Sequence, residues 1–246
     1  MLEIFAVKIP DKIDDLLLIA LTSFVDPLKQ ERIKNFVHEA DKLRTLFADL
    51  MIRSIIIRKT GLQNHTISFG ENEYGKPYWY NGLENFHFNI SHSLEWVVLA
   101  VDNLPVGIDI EGIHSIELSV SEHVFSPEEH LDLMSQPDKT AYFFTLWSLK
   151  ESFIKMLGTG TTFPLKDFSV KQTHSHQFSI SISGAPLEGV YLSQYNIDSH
   201  FKMGVCANHN NFPQHISKIP AITLIRNFIR VEGSLQKKRE SASLPY

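Results

Sequence analysis

The chain has 246 residues, of which 43% are hydrophobic and 21% are charged, with a formal net charge of −5. This is the composition of an ordinary globular protein, long enough for one large domain or for two of about 120 residues each. The negative balance gives no reason to expect nucleic-acid binding, and the single cysteine excludes an internal disulfide framework. Residues 1–10 lack a signal-peptide pattern and no apolar run could cross a bilayer, so we predict a cytoplasmic protein without membrane association.

The first half of the chain predicts a strand at residues 3–8 followed by three helices. The first helix runs from Asp11 to about Phe24, and the second begins at Asp26-Pro27 with Asp26 as its N-cap. The third covers residues 41–60 and ends at Gly61, where a C-terminal cap belongs. Its apolar stripe, at helical spacing, consists of Leu43, Leu46, Phe47, Leu50, Met51 and Ile55.

Basic residues on these helices are candidates for binding an anion. Lys29 and Arg32 are three residues apart on the second helix and share a face, which could equally be a solvated basic face. Arg44 and Thr45 lie near the start of the third helix, where free backbone N–H groups can help to hold an anion. Because an arginine there opposes the helix dipole, we expect Arg44 to have either an anionic ligand or an acidic partner.

Both halves are predicted to run in the same order, a long helix that ends at a glycine, then a turn and several strands, and the internal similarity is a hypothesis. Strands at 66–69, 86–93, 96–101 and 106–110, with a Gly/Pro turn at 73–78, precede a long helix at 138–157 that ends at Gly158. Further strands are predicted at 168–171, 177–182, 190–195 and 202–207, with a short apolar segment after 221. The turn at 102–105, or the segment just after Glu111, is the candidate boundary. We divide the chain into two α+β halves, 1–104 and 105–232, and a disordered tail, 233–246.

The strand Val106–Glu111 carries two carboxylates on one face. Side chains alternate along a strand, so Asp109 and Glu111 emerge together with Cα atoms about 6.5–7 Å apart. Their repulsion must be relieved by protonation, by a basic neighbour or by a metal, and Mg²⁺ favours such oxygen ligands. The alternative is a solvated strand face that happens to be acidic.

The second long helix carries a further acid and a base at helical spacing. Glu151 and Lys155 are four residues apart, and Trp147 lies one turn before Glu151. An exposed ion pair worth about 0.3–0.5 kcal/mol is the simpler interpretation of this pair taken alone. Together with Asp109 and Glu111, however, Glu151 would suit one Mg²⁺ with room for phosphate oxygens. The basic side chains that would suit a ligand with several phosphates are Lys29, Arg32, Arg44, Lys76, His92 and Lys155.

Four motifs, in this order, carry a resemblance to a known family. They are Tyr74-Gly75-Lys76-Pro77, Phe88-Asn89-Ile90-Ser91-His92-Ser93, Gly107-Ile108-Asp109-Ile110-Glu111 and Trp147-Ser148-Leu149-Lys150-Glu151-Ser152-Phe153-Ile154-Lys155. The sequence resembles a 4′-phosphopantetheinyl transferase of the surfactin-synthetase-activating (Sfp) type, from near residue 20 to about residue 215. Neither a Walker loop nor a Rossmann fingerprint, the marks of commoner nucleotide-binding folds, is present.

The resemblance implies a fold, a reaction and a set of site residues. The fold is α+β, a pseudo-dimeric monomer of two similar halves, each a long helix packed on a small, mostly antiparallel sheet, with coenzyme A between them. The enzyme moves 4′-phosphopantetheine from coenzyme A to a serine of apo acyl carrier or peptidyl carrier proteins and releases 3′,5′-ADP. The metal is Mg²⁺, or Mn²⁺ in its place. The implied residues are Asp109, Glu111 and Glu151 for the metal, Asp109, Glu151 and Lys155 for catalysis, and Lys29, Arg32, Arg44, Thr45, Lys76, Ser91, His92 and Lys155 for coenzyme A.

Several points stay open at this stage. Either Glu151 or a metal-bound water could be the base that takes the serine proton. The segment from Ile113 to Phe125 could contribute to the carrier surface or could simply be buried. A Mg²⁺-dependent phosphohydrolase of coenzyme A-like nucleotides is an alternative activity. A non-catalytic coenzyme A- or carrier-binding module is another, although binding alone would not need three acids and Lys155.

Overall fold

The computed structural model describes residues 1–80 and 82–229, without the side chain of Thr161, so the predicted tail at 233–246 lies outside the described residues. The helices are α1 (Asp15–Thr22), α2 (Pro27–Asn35), α3 (Glu39–Thr60), α4 (Ser121–Val124), α5 (Pro127–Ser135) and α6 (Lys139–Leu157), and residues 221–229 are also helical. The strands are β1 (Glu3–Lys8), β2 (Ser68–Glu71), β3 (Pro77–Tyr80), β4 (His87–Ser93), β5 (Trp96–Asp102), β6 (Val106–Gly112), β7 (Phe168–His174), β8 (Gln177–Ile182), β9 (Ala185–Pro186), β10 (Tyr191–Tyr195), β11 (Phe201–Ala207) and β12 (Ser217–Lys218). Among the described helices none combines the length and the apolarity that a membrane span needs.

Most predicted elements are confirmed, and two differences have local causes. Helix α1 begins four residues later than predicted, because the Asp14 carboxylate accepts hydrogen bonds from the first-turn N–H groups of Leu16 and Leu17. Helix α5 was not predicted. Its capping box was a sequence signal for it, since Ser126 and Glu129 cap each other's backbone N–H groups just before an apolar stretch.

The strands form three sheets. In the largest, the order is β6-β11-β10-β8-β7, with β9 beside β8, and its pairs are antiparallel. A four-stranded sheet has the order β12-β1-β5-β4, and β2 pairs with β3. The predicted α+β class with largely antiparallel sheets and two similar halves is confirmed.

The chain divides into two compact units. Unit 1 contains Met1–Phe5, Phe69–Leu94 and Val98–Ser217, and unit 2 contains Ala6–Ser68, Glu95–Val97 and the described residues from Lys218 onward. The division of the chain into halves at residues 104 and 105 stays a prediction.

In unit 1, α6 lies directly on β6 and β11 because both strands have a glycine beneath it. A Cβ atom on Gly107 would lie 1.9 Å from the backbone oxygen of Ser152, and one on Gly204 would lie 2.6 Å from that of Ser148. Only residues without a side chain allow such a close approach of two backbones. The apolar face of α6, including Phe143 and Phe153, is buried in the core of this unit.

A buried ion pair anchors α6. Lys150 donates hydrogen bonds to both carboxylate oxygens of Glu129 on α5, at 2.7 Å each, and to the carbonyl of Phe168 at 2.6 Å. Glu129 also accepts from the backbone N–H groups of Val170 and Ser126. Both charges are therefore fully hydrogen-bonded, the condition under which a buried pair is tolerated.

Unit 2 contains a comparable pair on α3. The Arg53 guanidinium is buried and contacts Asp26, at the start of α2, at 2.8 Å. Arg53 and Lys150 each lie eight residues before the glycine that ends their helix in the left-handed conformation, Gly61 or Gly158. The acid in each case lies at the beginning of a short helix that starts with proline. At the level of side chains, the two halves are similar because both contain this arrangement.

The Lys150–Glu129 pair predicts a large stability effect. Replacing Glu129 by Gln leaves a buried ammonium without its carboxylate, so the free energy of unfolding should fall by about 3–5 kcal/mol in urea titrations at pH 7. Glu128→Gln, on an exposed side chain of the same helical turn, should stay within about 0.5 kcal/mol of the parent. Equal unfolding midpoints for the two variants would contradict this assignment.

Candidate functional site

The candidate site is centred on the Asp109 carboxylate, which is buried in the middle of β6. Its Oδ1 atom accepts hydrogen bonds from Ser91 Oγ at 2.9 Å and from Lys155 Nζ at 2.5 Å. Lys155 also donates to Ser91 Oγ at 2.9 Å, so the three side chains form a closed triangle. Asp109 Oδ2 is buried without a hydrogen-bond partner in the described part of the chain. One oxygen of this carboxylate is thus held in place and the other remains available to a ligand.

Side chains of β4 hold β6 along the edge that is not paired with β11. Alternate residues of β4 accept hydrogen bonds from alternate backbone N–H groups of β6. The pairs are Asn89 Oδ1 with Ile108 at 2.8 Å, Ser91 Oγ with Ile110 at 3.4 Å and Ser93 Oγ with Gly112 at 3.0 Å. This ladder satisfies the backbone of β6 and fixes the strand that carries the two acids.

The other two predicted acids are electrostatic neighbours of Asp109. Burial, and then the negative charge of Asp109, raises the pKa of Glu111 to about 7, while a hydrogen bond from Trp147 acts in the opposite direction. Burial, and then Asp109, also raises the pKa of Glu151. Three carboxylates therefore concentrate negative charge at one place, and Lys155 offsets only part of it.

This cluster fits a hard divalent cation that takes some of its ligands from a substrate. Within the described ranges, no group of three or more His, Cys, Asp or Glu side chains is arranged to hold a metal ion by itself. Mg²⁺ often takes only one or two protein carboxylates and fills its remaining positions with water and phosphate oxygens. The unpartnered Asp109 Oδ2 and the raised pKa values of its two neighbours are consistent with that incomplete type of site.

A pocket of about 470 Å³ in unit 1 borders the cluster. Glu151 and Lys155 belong to its wall, together with Lys76 and apolar side chains such as Ile154 and Phe163. Its volume lies in the range of sites that bind small molecules and cofactors. Glu151 and Lys155 are therefore accessible to a small-molecule ligand, whereas Asp109 and Glu111 do not line the pocket.

Lys76 is positioned by a turn that Asn72 organises. Asn72 Oδ1 accepts hydrogen bonds from the backbone N–H groups of Tyr74 and Lys76, and its amide group donates to the carbonyl of Gly158 at 2.8 Å. Lys76 Nζ donates to the carbonyl of Met156 at 3.1 Å, near the end of α6. Burial lowers the pKa of Lys76 to about 8.

Ser91 and His92 are separated by the geometry of the strand. As consecutive residues of β4 they point to opposite faces, so Ser91 is buried against Asp109 while His92 is exposed. Their joint contact with one phosphate stays a prediction.

The remaining predicted ligand residues belong to unit 2; these are Lys29, Arg32, Arg44 and Thr45. Lys29 Nζ lies 2.5 Å from Asp49, and Arg44 lies 2.6 Å from Asp41, one turn earlier on α3. The sequence left open whether Arg44 would have an acidic partner or an anionic ligand, and the structure provides the acidic partner. Arg32 is exposed and Thr45 is half-buried.

The segment from Ile113 to Phe125, a candidate carrier surface, is exposed at most of its positions and fully buried at only two of them, Ser121 and Phe125. Ile113 and Ile116 contact the core of unit 1, and Phe125 is fully buried within it. Val120 is 37% exposed. Burial therefore accounts for Phe125 and in part for Ile113 and Ile116, but not for Val120 or the other exposed residues of the segment.

Sequence reasoning assigned no roles to Asn72, Asn89 and Lys150. It also did not predict the hydrogen bond between Trp147 and Glu111. Asn72 had a signal, because asparagine three residues before Gly75 is typical of a turn. For Asn89 there was a weaker one, since a polar residue inside an otherwise buried strand needs a partner. A buried lysine such as Lys150 has no sequence signal that separates it from a surface lysine.

Comparison with known proteins identifies the family of this chain. The family model described as the 4′-phosphopantetheinyl transferase superfamily matches residues 105–206, and that described as 4′-phosphopantetheinyl transferase, N-terminal, matches residues 14–104. The chain is 42% identical over 201 residues to 4′-phosphopantetheinyl transferase Sfp of Bacillus subtilis strain 168, covering 80% of this chain and 88% of that protein.

Two further relatives extend the comparison. The chain is 40% identical to 4′-phosphopantetheinyl transferase gsp of Aneurinibacillus migulanus, over 71% of this chain and 73% of that protein. It is 34% identical to the human L-aminoadipate-semialdehyde dehydrogenase-phosphopantetheinyl transferase, over 58% of this chain and 51% of that protein. With both family models matched and the Bacillus enzyme covered over most of its length, this chain belongs to the 4′-phosphopantetheinyl transferase family and is an Sfp-type member of it.

Proposed function

We propose that this enzyme transfers 4′-phosphopantetheine from coenzyme A to a serine of apo acyl carrier or peptidyl carrier proteins, with Mg²⁺, or Mn²⁺ in its place, as the metal. It releases 3′,5′-ADP and acts in the cytoplasm as a monomer. The observation that carries the proposal is the cluster of Asp109, Glu111, Glu151 and Lys155 at the edge of a pocket, in a chain of this family.

Coenzyme A would occupy the pocket in unit 1, where Lys76 and Lys155 provide positive charge for its phosphates. Ser91 and His92 on β4 are further candidates, as are Lys29, Arg32, Arg44 and Thr45 of unit 2, which the family resemblance assigns to the same ligand. Lys29 and Arg44 already have carboxylate partners, so a phosphate would have to compete with Asp49 and Asp41.

Asp109, Glu111 and Glu151 would hold Mg²⁺, which when bound neutralises charge on the pyrophosphate oxygens. Asp109 Oδ2 is the protein oxygen best prepared for this role, because it is buried and lacks a hydrogen-bond donor among the described residues. Ser91 keeps the same carboxylate oriented through Oδ1.

The transfer itself breaks one P–O bond and forms another. The carrier serine oxygen attacks the phosphorus that bears pantetheine, and the bridging oxygen leaves with 3′,5′-ADP. Lys155 stabilises the negative charge that develops there. A base has to take the serine proton; Glu151 and a metal-bound water are both candidates, because a carboxylate that ligates Mg²⁺ is a weak base.

The reaction predicts a defined mass change on the acceptor. Incubation of apo acyl carrier and apo peptidyl carrier proteins with the enzyme, coenzyme A and Mg²⁺ should add the mass of one phosphopantetheine, detected by intact mass spectrometry. Carriers whose acceptor serine is replaced by alanine are the control and should not gain mass. Formation of 3′,5′-ADP without any modified carrier would instead indicate a phosphohydrolase.

Replacing an acid of the cluster, or removing the metal, is expected to cause a loss of transfer. Asp109→Asn and Glu151→Gln remove one negative charge each without changing size, so turnover should fall at least about 100-fold in the same assay. Excess EDTA should abolish transfer by the parent, and added Mg²⁺ should restore it. The matched control is Asp167→Asn, an exposed acid of the same unit, which should retain full activity. Unchanged turnover in Asp109→Asn would refute the metal assignment.

Replacing Lys76 is expected to give a different kinetic pattern. Lys76→Ala removes positive charge from the pocket wall but no group of the acidic cluster, so the KM for coenzyme A should rise about tenfold while kcat changes less than about threefold. Initial rates at varied coenzyme A concentration measure this. A fall in kcat with unchanged KM would place Lys76 in the chemical step instead.

A further inference from the structure

Lys155 faces two kinds of partner. Its ammonium lies 2.5 Å from Asp109 Oδ1, and Asp109 is almost completely buried, with a side-chain exposure of 4%. The Lys155 side chain is 29% exposed and belongs to the wall of the pocket. It therefore reaches both the proposed metal ligand and the space where the phosphates of coenzyme A would bind.

We propose that Lys155 and a divalent cation compete for the Asp109 carboxylate, and that coenzyme A relieves this competition by drawing Lys155 to its phosphates. Lys155 thereby couples the binding of the metal to the binding of coenzyme A. This inference rests on the proposed function and adds to it a rule for how the two ligands bind.

The competition follows from charge and geometry. An ammonium hydrogen-bonded to a buried carboxylate neutralises the charge that would otherwise attract a cation, and the two cations repel each other at close range. A metal at the Oδ2 atom draws negative charge away from Oδ1 and repels the ammonium, so it weakens the charge-assisted hydrogen bond between Lys155 and Oδ1, and this costs a factor of about ten or more in metal affinity. Ser91 donates to the same Oδ1 atom and would keep the carboxylate oriented when Lys155 leaves.

A phosphate in the pocket changes this balance. The phosphate gives the Lys155 ammonium a second anionic acceptor. When the ammonium moves away from Asp109 it can therefore bind the phosphate, and its positive charge is no longer unpaired near the metal. Because coupling between two ligands is reciprocal, the metal should also favour coenzyme A by the same factor.

Two other lysines of this unit, Lys150 and Lys76, have partners outside the acidic cluster. Lys150 is bound to Glu129 inside the core, and Lys76 donates to backbone carbonyls near the end of α6. Neither neutralises Asp109 by direct contact in the way that Lys155 does. The coupling therefore depends on the direct contact between Lys155 and Asp109, and a substitution at position 155 can test it.

The test measures Mn²⁺ binding to the full chain by electron paramagnetic resonance, without coenzyme A and at saturating coenzyme A. Lys155→Met should bind Mn²⁺ at least about tenfold tighter than the parent without coenzyme A. The enhancement of Mn²⁺ affinity by coenzyme A should fall by the same factor, although it need not vanish, because the phosphates also offer ligands to the metal. Lys155→Arg keeps the charge and should retain both parental properties within about threefold.

Lys166→Met is the matched control, since it removes the same charge from an exposed side chain of unit 1 and should change Mn²⁺ affinity less than twofold. Mn²⁺ affinity of Lys155→Met equal to or weaker than that of the parent would overturn the inference. So would an absence of Mn²⁺ binding to every variant with and without coenzyme A. The mass-spectrometric transfer assay then decides separately whether the proposed function survives, because transfer can occur with or without this coupling.

Discussion

The close contact between helix α6 and strand β6 is the constraint on which the candidate site depends. At Gly107 the two backbones approach so closely that a Cβ atom would lie 1.9 Å from the Ser152 carbonyl oxygen. Glu151 and Lys155 flank this contact on the helix, and Asp109 follows it by two residues on the same face of the strand. A larger residue at 107 would force the helix outward and separate the acid and base from the strand carboxylates.

Buried ion pairs hold the long helices in a defined position. Apolar packing is non-directional, so it brings a helix to a sheet without fixing its rotation or its position along the strand. The directional hydrogen bonds of Lys150 to Glu129 and Phe168 add such a constraint on the rotation and position of α6. In unit 2 Arg53 ties α3 to Asp26 at the start of α2, the helix that carries Lys29. The same device therefore supports a set of candidate ligand residues in each unit.

The site combines a rigid part with a part that can change partner. Ser91 holds Asp109 in place by donating a hydrogen bond to its Oδ1 atom. Ser91 also belongs to the side-chain ladder between β4 and β6. Lys155 contacts the same carboxylate from a partly exposed position at the pocket. One oxygen of this carboxylate is held in place, and the other has no hydrogen-bond partner among the described residues. Beside a lysine with access to the pocket, such a carboxylate suits chemistry on a ligand rich in phosphate.

The sequence by itself was sufficient to predict most of the elements and the direction of the side chains that carry the candidate site. Alternation along the strand put Asp109 and Glu111 on one face, and a four-residue interval put Glu151 beside Lys155, because these periods follow from local backbone geometry. The order of four motifs was sufficient to identify the family. Only the tertiary structure decided that Lys155 bonds to Asp109 and that Lys150 turns into the core, away from solvent. These outcomes depend on distances between elements far apart in the chain, which are set by packing contacts such as that of Gly107 with Ser152, and no local period encodes them.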